Sequence, residues 1–480
     1  MAEKKSVVLL YKVVADKQNY IDACLSEDVV VICINRGTKK SKPMPFKVLY
    51  ENNDQFWLQN KTWEYFISTE DFERVNEKAA IPEENWTAPE EEEVETEEEI
   101  RLEVIESPKA PEETKASIEE GFGKEYNSIA VMPIRERLVQ LNENKKRLDH
   151  LIITKPKEER IITEALVDTA KDTMLHNHAT LLSTINLSSE EAKRQTQGLV
   201  DSTLDFVKTS SQLISVNIFN DDLMKALVSK SDGTIIQHMI RVYLQGLAFL
   251  SYYNKMVSSS HMIHRLRVGF NNRYRRFYHI LLPHIFLEDV TLERAFLGGM
   301  RTVTDEDFYN WTTGFLIHDI GKAAAVEYHE GESAYNRDIV MEHITVGYTS
   351  IINKTNYPEE AGLVTGYHHE YYGDEGGYGY YRNAFEQHKK LNPYARPIYG
   401  ISYDVRPMMT YEALGYFPAK VLEICDVYDS LTDPNRKYRK AMSTDEALEM
   451  MLEEFIVKHQ KIDFILYDIF ARFIKDGKPR

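Results

Sequence analysis

Phe315-Leu316-Ile317-His318-Asp319-Ile320-Gly321-Lys322 is an apolar helical turn that runs straight into a histidine and an aspartate, with a glycine and a lysine within one further turn. Successive side chains on a helix diverge by about 100°. The imidazole and the carboxylate can therefore serve two different metal ions, or bridge and flank one pair. Taken alone, the pair reads equally well as a helix cap or a surface pair. The residues downstream decide: Glu342-His343 with Gly347, then His368-His369-Glu370, then Asp426 with Asp429, each on a predicted helix or at its end. Upstream, His238 sits in Ile235-Ile236-Gln237-His238-Met239-Ile240-Arg241-Val242, where apolar neighbours turn the imidazole inward. Imidazole and carboxylate in this ratio suit a divalent metal such as iron, manganese or zinc, and the lack of a cysteine cluster speaks against structural zinc. More ligands stand here than one tetrahedral site can use. The expectation is a two-metal site with open positions for water and substrate, the arrangement that activates water for in-line attack on phosphorus.

These motifs, with Lys322 after the His-Asp pair and Asp426-Val427-Tyr428-Asp429-Ser430-Leu431-Thr432 near the end, resemble in order the HD-GYP subgroup of HD-domain phosphohydrolases. The resemblance spans roughly residues 222 to 455. It implies an all-helical HD-domain bundle, a carboxylate-bridged centre of two divalent ions, iron or manganese, and hydrolysis of cyclic di-GMP to linear pGpG or GMP in bacterial second-messenger signalling. By the same resemblance Asp319 bridges the ions, while His238, His318, His343, His368, His369 and Asp426 complete their shells. Lys322 then lies over a non-bridging phosphate oxygen, and Tyr378, Arg436 and Arg439 place the dinucleotide.

The sequence departs from that pattern in three places. Where the family has a loop close to Asp-Gly-x-Gly-Tyr-Pro, this chain has Gly373-Asp374-Glu375-Gly376-Gly377-Tyr378-Gly379-Tyr380-Tyr381, about one residue longer and with Gly379 in place of proline, which frees the backbone. Thr234 stands where members with a third metal carry glutamate, which favours two ions. The interval from His238 to His318 is long for the family and holds an extra aromatic and basic segment. The altered loop leaves two other readings open, a protein that binds a cyclic dinucleotide or a partner without turnover, and a phosphohydrolase acting on another nucleotide.

The 480 residues suggest two or three domains. Residues 1–80 read as a small β-rich sensory or docking domain for a signalling partner. Strands are expected at Val7–Val14, Val29–Ile34, Phe46–Tyr50 and Phe56–Gln59, and a helix N-cap at Ser68 before Phe72. No paired-arginine signature of a cyclic di-GMP receptor is present in this part. Residues 81–124 read as a flexible acidic linker: between 82 and 120 stand 16 acidic and 3 basic residues, so 13 of the chain's 18 excess negative charges lie there. The remainder is near balance, which argues against a nucleic-acid polymer as partner. Three cysteines suit a reducing cytoplasm, and no apolar run approaches the roughly 18 residues of a membrane span.

Residues 125–221 read as a helical connector that carries dimer contacts or extends the bundle, with His176 and His178 taken as surface residues. Residues 222–480 form the phosphohydrolase domain, with a helical insertion at about 255–312. In that insertion Asn272-Arg273-Tyr274-Arg275-Arg276-Phe277-Tyr278 offers two readings. One is a basic aromatic face for phosphate or a partner. The favoured one is an amphipathic helix whose rings pack and whose arginines stay in water. The fold class expected is mainly α, preceded by the β-rich domain and the acidic linker.

Overall fold

The computed structural model describes residues 3–9, 18–27, 29–35, 41–53, 63–79, 92–96, 121–216, 234–328, 337–373, 377–435 and 440–476. The chain divides into two compact units, Met1–Lys109 with Asn186–Ala192, and Ala110–Ile185 with Lys193–Arg480.

The first unit is a five-stranded antiparallel sheet in the order β3-β2-β4-β1-β5, with three helices. Its elements are β1 (Glu3–Leu9), α1 (Gln18–Ser26), β2 (Val30–Asn35), β3 (Ser41–Pro45), α2 (Phe46–Asn53), β4 (Trp63–Ser68), α3 (Thr69–Ala79) and β5 (Glu92–Thr96). Alternate residues of the central strands, Val31 and Cys33 on β2 against Ile67 and Tyr65 on β4, join Tyr20, Phe46, Leu49, Phe72 and Val75 in one core. Ser68 caps α3 as expected, its Oγ accepting from the Asp71 amide at 3.0 Å.

Two expectations change here. Phe46–Tyr50 is helix rather than strand: Phe46 and Leu49 are buried at helical spacing, and Phe46 stacks on Tyr50 one turn on, at 5.9 Å. Part of the acidic stretch taken as linker is strand β5, in register with β1 from Glu3 opposite Thr96 to Val7 opposite Glu92. Backbone pairing along β1 does not depend on apolar side chains, which is why composition gave no sign of it. The expected strand at Phe56–Gln59 lies outside the described residues.

The second unit is mainly helical. Its principal helices are α4 (Lys124–Ala130), α5 (Ile134–Thr154), α6 (Glu159–Thr184), α7 (Ser189–Val216), α8 (Ile235–Ser258), α9 (Ser260–Arg273), α10 (Arg275–Leu281), α11 (Asp305–Ile317), α12 (Gly321–Tyr328), α13 (Arg337–Lys354), α14 (Glu359–Tyr367), α15 (Tyr380–Leu391), α16 (Phe417–Thr432), α17 (Thr444–Leu452) and α18 (Phe464–Asp476). A short parallel pair, β6 (Tyr399–Ser402) and β7 (Ala413–Tyr416), is set among them. The residues expected to be a separate connector share one continuous core with the rest, from Phe122 and Tyr126 through Leu148, Met174 and Phe206 to Phe470. Helical periodicity in a sequence marks a buried face without saying which body it is buried against.

At the centre lies α8. It opens on Thr234, whose Oγ1 accepts from the Gln237 amide at 3.3 Å, and every residue from Ile235 to Leu250 is buried. A helix buried on every side has to be enclosed, and here α6, α11, α16 and α18 pack against it. Across one of these contacts a Cβ at Gly246 would stand 2.9 Å from the Phe315 ring, so glycine sets the approach of α8 to α11. This core also corrects the reading of His176 and His178 as surface residues. Both are buried in α6, and His178 Nε2 lies 3.3 Å from Met239 Sδ.

The insertion follows the packing alternative. Phe270, Tyr274, Phe277 and Tyr278 are buried, with Phe270 and Tyr278 stacked at 5.7 Å, whereas Arg273 lies half-exposed against Asp468. Among the described residues no helix is long and apolar enough to cross a membrane.

Candidate metal centre

Five segments of the second unit converge on one buried point. His238 stands in the first turn of α8, His318 closes α11, Asp319 lies in the tight turn before α12, and His343 comes from the middle of α13. His368 closes α14 with His369 directly after it, and Asp426 points in from α16. Gly321 makes the approach of α12 to α13 feasible: a Cβ there would stand 2.0 Å from the His343 carbonyl oxygen and 2.6 Å from the Gly347 amide nitrogen. The two motif glycines thus let backbone meet backbone, and this brings Asp319 to His343.

Asp319 is 1% exposed and faces two ways. Its Oδ1 lies 2.9 Å from His343 Nε2 and 3.9 Å from His368 Nε2, while Oδ2 lies 3.5 Å from His318 Nε2 and 3.8 Å from His238 Nε2. The candidate ligands fall into two groups, Asp319 with His343, His368 and His369, and His238 with His318 and Asp426. Within each group the ligand atoms all lie within 4.8 Å of one another. His369 Nδ1, 3.8 Å from Asp426 Oδ2, ties the groups together.

The donor set suits metal ions. His318 Nδ1 donates to the Phe315 carbonyl at 2.9 Å and His368 Nδ1 to the Thr365 carbonyl at 2.8 Å. A carbonyl only accepts, so the proton sits on Nδ1 in both rings and the Nε2 lone pair points at the centre. Among the described residues those two Nε2 atoms and His369 Nδ1 are buried with no hydrogen-bond partner. Burial, reinforced by the neighbouring imidazoles, pushes His368 well below its ordinary pKa. Burial lowers His318 as well, and pushes His369 down to about 3. Neutral imidazoles aimed at one space are what a divalent ion requires.

Burial alone would raise the Asp319 carboxyl, but Lys322, His318 and His343 outweigh it and hold the group well below the usual carboxylate range. Asp426 is likewise held low against burial, by His238 above all. His238 goes the other way. Burial lowers it, yet Asp426 at 3.0 Å from Nε2 and Asp429 at 2.7 Å from Nδ1 raise it overall, which marks a place where a positive charge is wanted.

Outside the ligands runs a buried ionic chain, of whose members only Asp429 stood out in the sequence. Asp429 accepts from His238 Nδ1 and from Arg241 Nε, both at 2.7 Å, and Arg241 Nη2 also donates to Asp433 at 2.7 Å. Arg241 lies one turn beyond His238 on α8, and a charged residue inside so apolar a run was the available signal. Lys322 pairs with Asp319 Oδ2, so in this structure its ammonium lies on that carboxylate. Tyr378 stands beside His369, ring centroids 4.5 Å apart, and its amide donates to the His369 carbonyl at 3.0 Å. Arg436 and Arg439 lie outside the described residues. His261 and His264 are exposed on α9.

The loop substitution has a packing cause. Glu370, buried behind His369, accepts from the Arg382 amide with both oxygens at 2.9 Å. A Cβ at Gly379 would stand 2.3 Å from Glu370 Oε1, so the carboxyl fills the room that a ring at position 379 would need.

No family model matches this chain, and no curated protein matches it. Among solved structures, one described as Bd1817, a HDG"Y"P protein from Bdellovibrio bacteriovorus, aligns with 98% of this chain and 99% of its own at 10% identity. Its TM-score is 0.33, too low for fold or activity to be carried across.

Proposed function

We propose that the second unit is a metal-dependent phosphodiesterase of the HD-GYP kind, hydrolysing cyclic di-GMP to pGpG or GMP in the bacterial cytoplasm. The observation that carries this reading is Asp319, one oxygen turned to each of two groups of buried imidazoles and carboxylates. A divalent pair, iron or manganese, held by His238, His318, Asp319, His343, His368, His369 and Asp426 would supply Lewis acidity toward phosphate and a lowered pKa for water.

The chain's own residues do the rest. Asp319 holds the two groups at a fixed separation, and the carbonyl-bound imidazoles keep their lone pairs inward without a proton to lose. Lys322, held by Asp319 while that carboxylate carries the local negative charge, is one turn from the centre and can turn to a non-bridging phosphate oxygen. Tyr378 offers a ring beside His369 against which a base can lie, and Arg436 and Arg439 supply guanidinium forks for phosphate. The first unit is assigned the sensory or docking role, toward a signalling partner.

The test is turnover of cyclic di-GMP by protein reconstituted anaerobically with iron or manganese, products separated by chromatography. Hydrolysis that a chelator removes, and that Asp319→Ala abolishes together with bound metal, supports the reading. Two bound ions without hydrolysis would reassign the centre to another phosphoester or to nucleotide binding. Full activity in Asp319→Ala would remove the proposed centre.

A further inference from the structure

Behind the His369 turn, and lined by none of the ligands, is a cavity of about 370 Å³. Tyr372, Tyr381 and Phe385 give it aromatic walls and Leu414 an apolar one. The phenols are tied inward, Tyr372 Oη donating to Asp463 at 3.1 Å and Tyr381 Oη to the Ala413 carbonyl at 2.5 Å, so the rings serve the cavity as surfaces. Arg382, Lys458 and His459 also line it, with Glu370 and Glu386 as carboxyls, and Lys458 is paired with Glu454. In size this is a small-molecule cavity, and seven of its thirteen lining residues are apolar or aromatic.

Two further observations join it to the centre. Lys458 and His459 lie at the end of a six-residue π-helix, Glu453–Lys458, a rare element that recurs at functional sites. Tyr371, between the ligand turn and the wall residue Tyr372, has a φ of 38°, strained for a non-glycine residue. Its ring lies 6.3 Å from Phe455 of the π-helix and 5.7 Å from the Lys461 ammonium.

We propose that this cavity binds a purine nucleoside monophosphate, and that its occupancy acts on the metal centre through His369-Glu370-Tyr371-Tyr372. The aromatic walls stack a planar base, Glu386 accepts from base N–H groups, and the cationic groups of Arg382 and Lys458, with His459, take one phosphate. The coupling half rests on the reading of His369 as a ligand; the binding half does not.

The experiment is calorimetry of the full chain with GMP, on wild type, Asp319→Ala, Leu414→Trp and the exposed pair Lys458→Ala/His459→Ala, with circular dichroism as the control for folding. The expected result is binding to wild type and Asp319→Ala alike, weakened about tenfold or more by Leu414→Trp and by the exposed pair. Binding lost in folded Asp319→Ala, kept at full strength in the exposed pair, or absent from wild type overturns the site. In a second titration, saturating GMP shifts the manganese affinity of wild type by about fivefold or more and leaves that of the exposed pair unchanged. GMP binding without that shift overturns the coupling alone, and absence of manganese binding overturns the proposed centre while leaving the cavity's test intact.

Discussion

A carboxylate surrounded by imidazoles and one ammonium is costly to bury unless its charge is used. Around Asp319 every neighbour is a ligand candidate or holds one in place, and this is why the motif could be read so far from sequence. His, Asp and Gly at those intervals have few other reasons to recur together. The ionic chain behind them was not legible, because Asp429, Arg241 and Asp433 meet only through the packing of α8 on α16. Arg241→Gln should weaken manganese binding about 10- to 100-fold, as loss of a group that orients a ligand does. It should also destabilise the chain by about 3–5 kcal/mol, since Asp429 and Asp433 stay buried without their cation. Metal titration and urea unfolding read the two effects separately. His176 gives the opposite case. Both its nitrogens are buried without a hydrogen-bond partner among the described residues, so His176→Met should leave stability unchanged or raise it by about 1 kcal/mol. Sequence reading put His176 and His178 on the surface because imidazole carries no sign of its own burial.

Helices were legible where their apolar spacing was strong, and the capped start at Ser68 stands where it was expected. The run Phe46–Tyr50 failed because five apolar-rich residues fit either period, and only burial at i and i+3 chose helix. Glycine was read correctly as a motif member but not for its cause. At Gly321 the cause is contact between α12 and α13 backbones, so Gly321→Ala should force the two apart. We expect a loss of about 1–3 kcal/mol in urea unfolding together with loss of metal binding, because the separation moves Asp319 from His343. Gly269, which has open space around it, should tolerate the same substitution with no change in either readout.

Across the whole molecule, acid should be the weak side of stability. Burial holds His178 near 3 and His176 near 4, and lowers His318 and His369, whereas the same groups in the unfolded chain take up protons near pH 6.5. The unfolded state therefore binds more protons below that pH, and stability falls as pH drops from about 7 toward 4, by up to about 1.4 kcal/mol per unit for each such group. His238, raised between its two carboxylates, opposes the trend, as do three carboxyls that burial pushes up, Glu370 to about 8, Glu423 to about 7 and Asp172 to about 6. Urea midpoints of chelated protein at pH 7, 6 and 5 measure this slope, and His176→Met should make it shallower. Manganese at about 100 times its dissociation constant should stabilise the folded chain by about 2.7 kcal/mol, seen as a higher melting temperature. What sequence could not give at this scale was the union of the expected connector with the helices that hold the candidate metal centre, since one continuous core is a property of contacts rather than of patterns. The small sheet of the first unit carries a consequence of its own. One outer strand, Ser41-Lys42-Pro43-Met44-Pro45, lacks amide hydrogens at its two prolines, and the other, Glu92-Glu93-Val94-Glu95-Thr96, carries three glutamates. Among the described residues both borders thus discourage a sixth strand from a neighbouring molecule, one by its missing donors and the other by the charge its sequence carries, a guard against fibrils growing from the sheet in a crowded solution.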